Sequence, residues 1–168
     1  MKKIVFFDTE INPVTGEVLD IGAVDSDGKQ FHSQKVYAFE DYISEYTYIG
    51  GHNIIECDLK YMQSYIKKGD RVKYIDTLYL SPLLFPLRPY HRLLKDDKLQ
   101  TDSLSNPYND AVKAMELFWD EVAAFHKLDD SLKETYYALL HDQPGFSGFF
   151  QYVGFQMNLN EIDLNSYI

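Results

Sequence analysis

Four carboxylates in this chain fall where side chains can reach across the edge of a sheet: Asp8, Glu10, Asp58 and Asp110. Asp8 and Glu10 close the run Ile4-Val5-Phe6-Phe7-Asp8-Thr9-Glu10, whose β-branched and aromatic residues read as a buried strand. Side chains two apart on a strand share a face, so this pair is expected to project together. Like charges held that close repel, and a divalent cation, which prefers oxygen ligands, is the simplest relief. If Asp58 and Asp110 converge on the same point, the four would provide for two hard ions about 4 Å apart, one activating a water and one stabilising a leaving oxygen. Phosphodiester hydrolysis is the chemistry that such an arrangement serves. The competing reading is turn chemistry, because Asn12-Pro13 and Thr15-Gly16 follow at once and Asp is common where strands end.

The elements that must position these groups can be read in order. Val18 to Val24 reads as a second strand, and Asp25-Ser26-Asp27-Gly28 is a hairpin signal that returns the chain through a third strand over Lys29 to Tyr37. A short helix is expected over residues 39–46. Tyr48 to Asn53 reads as a fourth strand that runs into a glycine-permitted turn. Ile55 to Ile66 reads as a helix carrying Asp58, with Leu59, Met62 and Ile66 at helical spacing. Arg71 to Ile75 is a fifth, short strand, and Asp76-Thr77 caps the apolar stretch beyond it, where Pro82 fits only a first turn. Tyr90 to Leu99 is expected to be helical and Thr101 to Asn109 a loop. The longest helix runs from about Pro107 to Phe125, with Asp110 at its front and Ala111, Ala114, Met115, Phe118, Val122 and Phe125 as its apolar stripe. A further helix over Leu132 to Leu140 leads to Gln143-Pro144-Gly145 and an aromatic cluster.

Composition narrows the classes. With 168 residues, 45% of them apolar, the chain can bury a real core. No apolar run approaches the roughly 20 residues that a membrane helix requires, and Met1-Lys2-Lys3 leads straight into a strand, so a cytoplasmic protein with no membrane partner is expected. The single cysteine, Cys57, excludes a disulfide framework or a Cys-rich zinc site, and its helical flanks assign it to buried filler. A net charge of −10 argues against loose, charge-driven binding of nucleic acid. The charge is uneven, however. Residues 60–98 hold nine basic against four acidic side chains, among them Lys67, Lys68, Arg88, Arg92, Lys95 and Lys98. That segment either lines the path of an anionic substrate or, at Lys67-Lys68-Gly69, simply finishes a helix. The 14 tyrosines and 11 phenylalanines are mainly core.

With these motifs in order, the chain resembles the DEDD-type, or DnaQ-like, 3′→5′ exonucleases of the ribonuclease-H-like fold. Phe7-Asp8-Thr9-Glu10 matches their first motif. Gly51-His52-Asn53 followed by Asp58 matches the second, and Asp110-Ala111 matches the third. The Asp76-Thr77 pair is also typical of the family, and the resemblance spans about residues 3–126. It implies an α/β fold: a mixed five-stranded sheet flanked by helices. Residues 1–128 would form the exonuclease-like domain, and 129–168 a helical extension that starts a linker to a further domain. It also implies that Asp8, Glu10, Asp58 and Asp110 are catalytic ligands of two Mg²⁺ or Mn²⁺ ions. Thr9 would lie near the terminal nucleotide and Asn53 would brace the turn. The partner would be a nucleic acid with a free 3′ end, DNA rather than RNA. The middle segment is similar, less closely, to exonuclease domains attached to RecQ-type helicases, which implies a helicase domain in the full-length protein.

One departure from the family stands out. A histidine usually precedes the third Asp by five residues as general base, and here that position is Ser105. A serine hydroxyl has no useful pKa near neutrality. His91 and Asp96 imitate the missing spacing, but the chain after Asp96 lacks the long helix that the motif opens. His91, Tyr90, Tyr108 and His52 are the side chains that would have to replace the base. The alternative to an exonuclease is therefore a weak or inactive nuclease-like domain that binds nucleic-acid ends or a partner protein.

Overall fold

The computed structural model of the protein describes residues 2–62, 64–66, 71–93 and 106–159. Five strands form one mixed sheet: β1 (Ile4–Ile11), β2 (Val18–Asp25), β3 (Gln30–Ser33), β4 (Tyr48–Gly51) and β5 (Lys73–Asp76), in spatial order β3-β2-β1-β4-β5. β1, β2 and β3 pair antiparallel through short connections. β4 lies parallel to β1, and β5 parallel to β4. Helices α1 (Val36–Ile43), α2 (Asp58–Met62), α3 (Thr77–Leu84), α4 (Pro107–Lys127), α5 (Asp130–Leu140) and α6 (Ser147–Val153) complete the chain. This is the ribonuclease-H-like architecture: a mixed five-stranded sheet flanked by helices.

β1 is the central strand, and its alternation divides the core in two. Ile4 and Phe6 face a cluster built with Ala111, Ala114, Phe118 and Phe125 of α4 and Phe149 and Phe150 of α6. Val5 and Phe7 face the opposite cluster, with Phe39 and Ile43 of α1 and Leu59 and Met62 of α2. Every side chain from Ile4 through Phe7 is fully buried, each contributing on the order of 2 kcal/mol of apolar transfer. Continuing the same alternation, Asp8 and Glu10 lie on the α4 face and Thr9 on the α1–α2 face. Tyr152 of α6 closes the far end of the strand: its hydroxyl donates to the Lys2 carbonyl at 3.1 Å, and the Lys2 ammonium donates to the Gln151 and Tyr152 carbonyls.

Several elements differ from the sequence reading. The third strand stops at Ser33, and α1 begins at Val36 rather than near residue 39. The helix expected over Ile55 to Ile66 shrinks to Asp58–Met62, because residues 53–57 are held as a turn. Pro82 sits in the last turn of α3, where it removes one helical hydrogen bond just before the helix ends at Leu84. Tyr90 to Leu93 is not helical. The rest of that expected helix, with Lys95, Asp96 and Lys98, lies outside the described residues, as do Lys67, Lys68 and Ser105. Cys57 is exposed, not buried filler: it lies in the turn just ahead of α2, not within a helix. Among the described residues no helix is long and apolar enough to cross a membrane.

The long helix starts as the sequence dictates. Asn106 caps it by accepting from the Tyr108 N–H at 3.1 Å, and Pro107 occupies the first turn. Its fully buried row, however, is Ala111, Ala114, Phe118, Glu121 and Phe125, with a glutamate at a core position. Neither Glu121 carboxyl oxygen has a hydrogen-bond partner among the described residues. Burial pushes its pKa up to about 10, the negative charge of Asp76 adds to the rise, and Arg88 opposes it. The folded protein thus holds a neutral acid that the unfolded chain releases near pH 4.5. Its contribution to stability is full below that pH and is lost as pH rises toward the folded pKa. Urea unfolding between pH 6.5 and 8.5 is expected to show stability falling by up to about 1.4 kcal/mol per pH unit from this group. Glu121→Gln should flatten the slope, and an unchanged slope in that variant would refute the assignment.

Candidate functional site

The C-terminal end of β1 opens into a cleft of about 400 Å³. Asp8, Thr9, Glu10 and Ile11 form its floor, and Asp110 in the first turn of α4 forms one wall. His52, Asn53, Cys57 and Asp58 form the opposite wall, with Leu78, Arg92 and Leu93 at the rim. All six residues singled out from the sequence therefore line one space. His91, Tyr90 and Tyr108 do not line it. His91 is instead bonded through Nδ1 to the Ser81 hydroxyl at 2.9 Å.

A close backbone contact brings Asp110 there. Asp8 pairs across the sheet with Gly22 of β2, and a Cβ at Gly22 would lie 2.0 Å from the Tyr108 nitrogen and 2.5 Å from the Pro107 carbonyl carbon. Only glycine lets the first turn of α4 rest on the strand beside Asp8.

A buried carboxylate fixes the opposite wall. Asp76, at the end of β5, has no exposed surface. It accepts from the Asn53 N–H at 2.8 Å, the Ile55 N–H at 3.1 Å and the Leu78 N–H at 3.0 Å. Two of those donors lie in the turn after β4 and the third in the first turn of α3, so one side chain both caps a helix and shapes the turn. Asn53 takes a φ of 65°, a left-handed conformation that Asn tolerates better than most residues. Its side-chain amide donates to the Cys57 sulfur at 3.0 Å. Burial raises the pKa of Asp76 despite its N–H donors.

The turn delivers Asp58 to Thr9. The Asp58 Oδ1 accepts from the Thr9 N–H at 2.9 Å and also from the Thr9 hydroxyl. Asp58 is 4% exposed, and burial lifts its pKa to about 6 against the opposing effect of the Thr9 bonds. Thr9 lies on the opposite face of β1 from Asp8 and Glu10, so Asp58 is held toward one side of the strand while the strand-end pair sits on the other. Among the described residues no three His, Cys, Asp or Glu side chains are grouped closely enough to hold a metal ion. The donor types suit a hard cation, but their arrangement does not gather one.

His52, which the sequence marks as part of a turn and as one candidate base, joins α3 to the segment that carries Leu93. Leu93 donates its N–H to His52 Nε2 at 3.3 Å, which leaves the proton on Nδ1 to be donated to the Thr77 hydroxyl at 2.8 Å. Thr77 in turn donates to the Gly51 carbonyl at 3.2 Å. Burial lowers the His52 pKa to about 4, so the ring is neutral near pH 7 and both nitrogens are engaged. It is a connector rather than a general base in this arrangement. Its contact with Leu93 spans 41 residues, and no local sequence signal marks it.

No family model matches the chain, and no curated protein matches it in sequence. Among solved structures, the chain is similar to the family B DNA polymerase from the hyperthermophilic archaeon Pyrobaculum calidifontis, with a TM-score of 0.53 and 13% identity. The match takes in 92% of this chain and 30% of the polymerase chain. A likeness at that identity is one of fold.

Asp76→Ala removes the acceptor of three backbone donors. The expected cost is about 3 kcal/mol, read as a lower urea midpoint, and hydrogen exchange at Asn53 and Ile55 should accelerate more than exchange in α4. Equal acceleration in both places would show that Asp76 supports the core generally and not this turn.

Proposed function

We propose that the protein is a nuclease-like domain that receives the end of a nucleic-acid strand in the carboxylate-lined cleft and hydrolyses it weakly or not at all. The observation that carries this reading is the division of the acidic groups. All four motif carboxylates border the cleft, yet Asp58 spends its Oδ1 on Thr9 and no ion-holding group forms among the described residues. The ribonuclease-H-like sheet and the likeness to a DNA polymerase support nucleic acid, DNA before RNA, as the class of partner. In this reading Thr9 and Asn53 border the terminal nucleotide. A helicase domain in a longer protein would present the strand, as the sequence resemblance suggests.

The second reading is a metal-dependent 3′→5′ exonuclease in which Asp8, Glu10, Asp58 and Asp110 hold Mg²⁺ or Mn²⁺. The placement of all four on one cleft supports it. The serine at position 105, where the family has its base, weighs against rapid turnover.

End-labelled single-stranded and 3′-overhang DNA and RNA, incubated with Mg²⁺ or Mn²⁺, separate the two. The first reading predicts saturable binding of ends with little or no shortening. Stepwise 3′ shortening abolished by Asp8→Ala would establish the exonuclease in its place. Absence of both binding and shortening would remove nucleic acid as the partner.

A further inference from the structure

We infer that Arg92 is the phosphate anchor of this cleft for an unpaired strand, and that His52 is the positioning residue that holds it there. The inference rests on the reading of the cleft as a site for nucleic-acid ends.

The electrostatics of the cleft call for such a group. Asp8, Glu10, Asp58 and Asp110 border it, and the chain as a whole carries a net charge of −10. A phosphodiester approaching these carboxylates is repelled unless a cation meets it. Among the described residues lining the cleft, Arg92 is the one cation. Its side chain is exposed and forms no ion pair with a described residue. Arg88, four residues earlier, is instead laid over the Phe85 ring at 3.8 Å. A guanidinium presents a planar fork of donors that matches two phosphate oxygens at once, so Arg92 has both the chemistry and the vacancy.

An exposed arginine on a loose loop would be a poor anchor, but this one is tied down next door. The Leu93 N–H ends on His52 Nε2, and His52 continues through Thr77 to the Gly51 carbonyl of β4. The position of Arg92 is thereby referred to the sheet that carries Asp8 and Glu10. The same segment also favours an unpaired strand. Tyr90 is 79% exposed and lies two residues from Arg92, within about 7 Å of backbone. An aromatic ring so placed can stack on a base face, and the bases of an intact duplex do not offer one.

The test is fluorescence anisotropy with short, 5′-labelled single-stranded DNA and RNA and a blunt duplex. It is run in EDTA so that binding is read without cleavage, over a series of salt concentrations. Arg92→Ala is expected to weaken single-strand binding about tenfold and to reduce the slope of log affinity against log salt by about 0.7. Arg92→Lys should restore part of the affinity. Lys133→Ala, which removes the same charge from α5 away from the cleft, should leave affinity within about twofold. For His52, the expected signature is non-additivity: His52→Ala weakens binding in the wild-type background but not beside Arg92→Ala. His52→Gln keeps an acceptor for the Leu93 N–H and should retain affinity. Melting temperatures of all variants identify any that fail to fold, in which case Arg92→Lys and His52→Gln carry the comparison.

Wild-type binding with Arg92→Ala no weaker than Lys133→Ala would overturn the anchor and leave the proposed function standing. Equal loss from His52→Ala in both backgrounds would overturn the positioning role. Duplex bound as tightly as single strand would overturn the preference for an unpaired end. Failure of the wild-type protein to bind any strand would overturn both this inference and the function on which it rests.

Discussion

One carboxylate, that of Asp76, holds the candidate site in its shape. It takes three backbone N–H groups from two segments, the turn after β4 and the first turn of α3. Burying a charged group is costly unless donors replace its water, and here those donors are amides that would themselves be unsatisfied in a tight turn. Each side of the interaction solves the other's problem. The geometry of the turn follows from it: Asn53 in a left-handed conformation, Cys57 turned outward, and Asp58 brought to Thr9.

In the buried acids, burial raises the pKa and hydrogen-bond donors oppose it. Asp25, at the hairpin, is pulled upward in pKa by burial. The Tyr46 hydroxyl, the Lys29 and Asp27 amides and Lys3 together bring it below its ordinary value. Asp76 has amide donors and stays raised. Asp58 has the Thr9 hydroxyl and amide and its own amide, and rises to about 6. Glu121 has none among the described residues and rises furthest, to about 10.

Much of this was legible in the sequence, for identifiable reasons. The apolar run from Ile4 to Phe7 admits a strand buried on both faces, and its period-two alternation carries directly to Asp8 and Glu10. The Asp25-Ser26-Asp27-Gly28 turn and the Pro107 start of α4 are local chemistry, and the structure keeps both. What escaped was tertiary. A helical pattern over Ile55 to Ile66 could not reveal that Asp76 captures its first residues as a turn, because the capture spans more than twenty positions. Val122 of the α4 stripe packs against the core as expected, but nothing short of the packing shows Glu121 in the buried row. Convergence of the four acidic motif residues on one cleft was inferable from their order. The direction in which Asp58 turns was not, because it depends on a single threonine hydroxyl and amide.

The joining of Lys2 to Gln151 and Tyr152 has a consequence for how the molecule is made. β1 precedes the other four strands along this chain and is the centre of the sheet, yet one of its faces is covered by α4 and α6, which follow all five strands. Until residue 152 has been synthesised, Ile4 and Phe6 lack part of their apolar cover, and the nascent chain carries an incompletely shielded central strand. Pairing of β1 with β2 can begin early because it is local, whereas closure of the α4–α6 face must wait for contacts about 150 residues apart in sequence. Vulnerability to aggregation is thus concentrated in the interval between hairpin formation and the docking of α6.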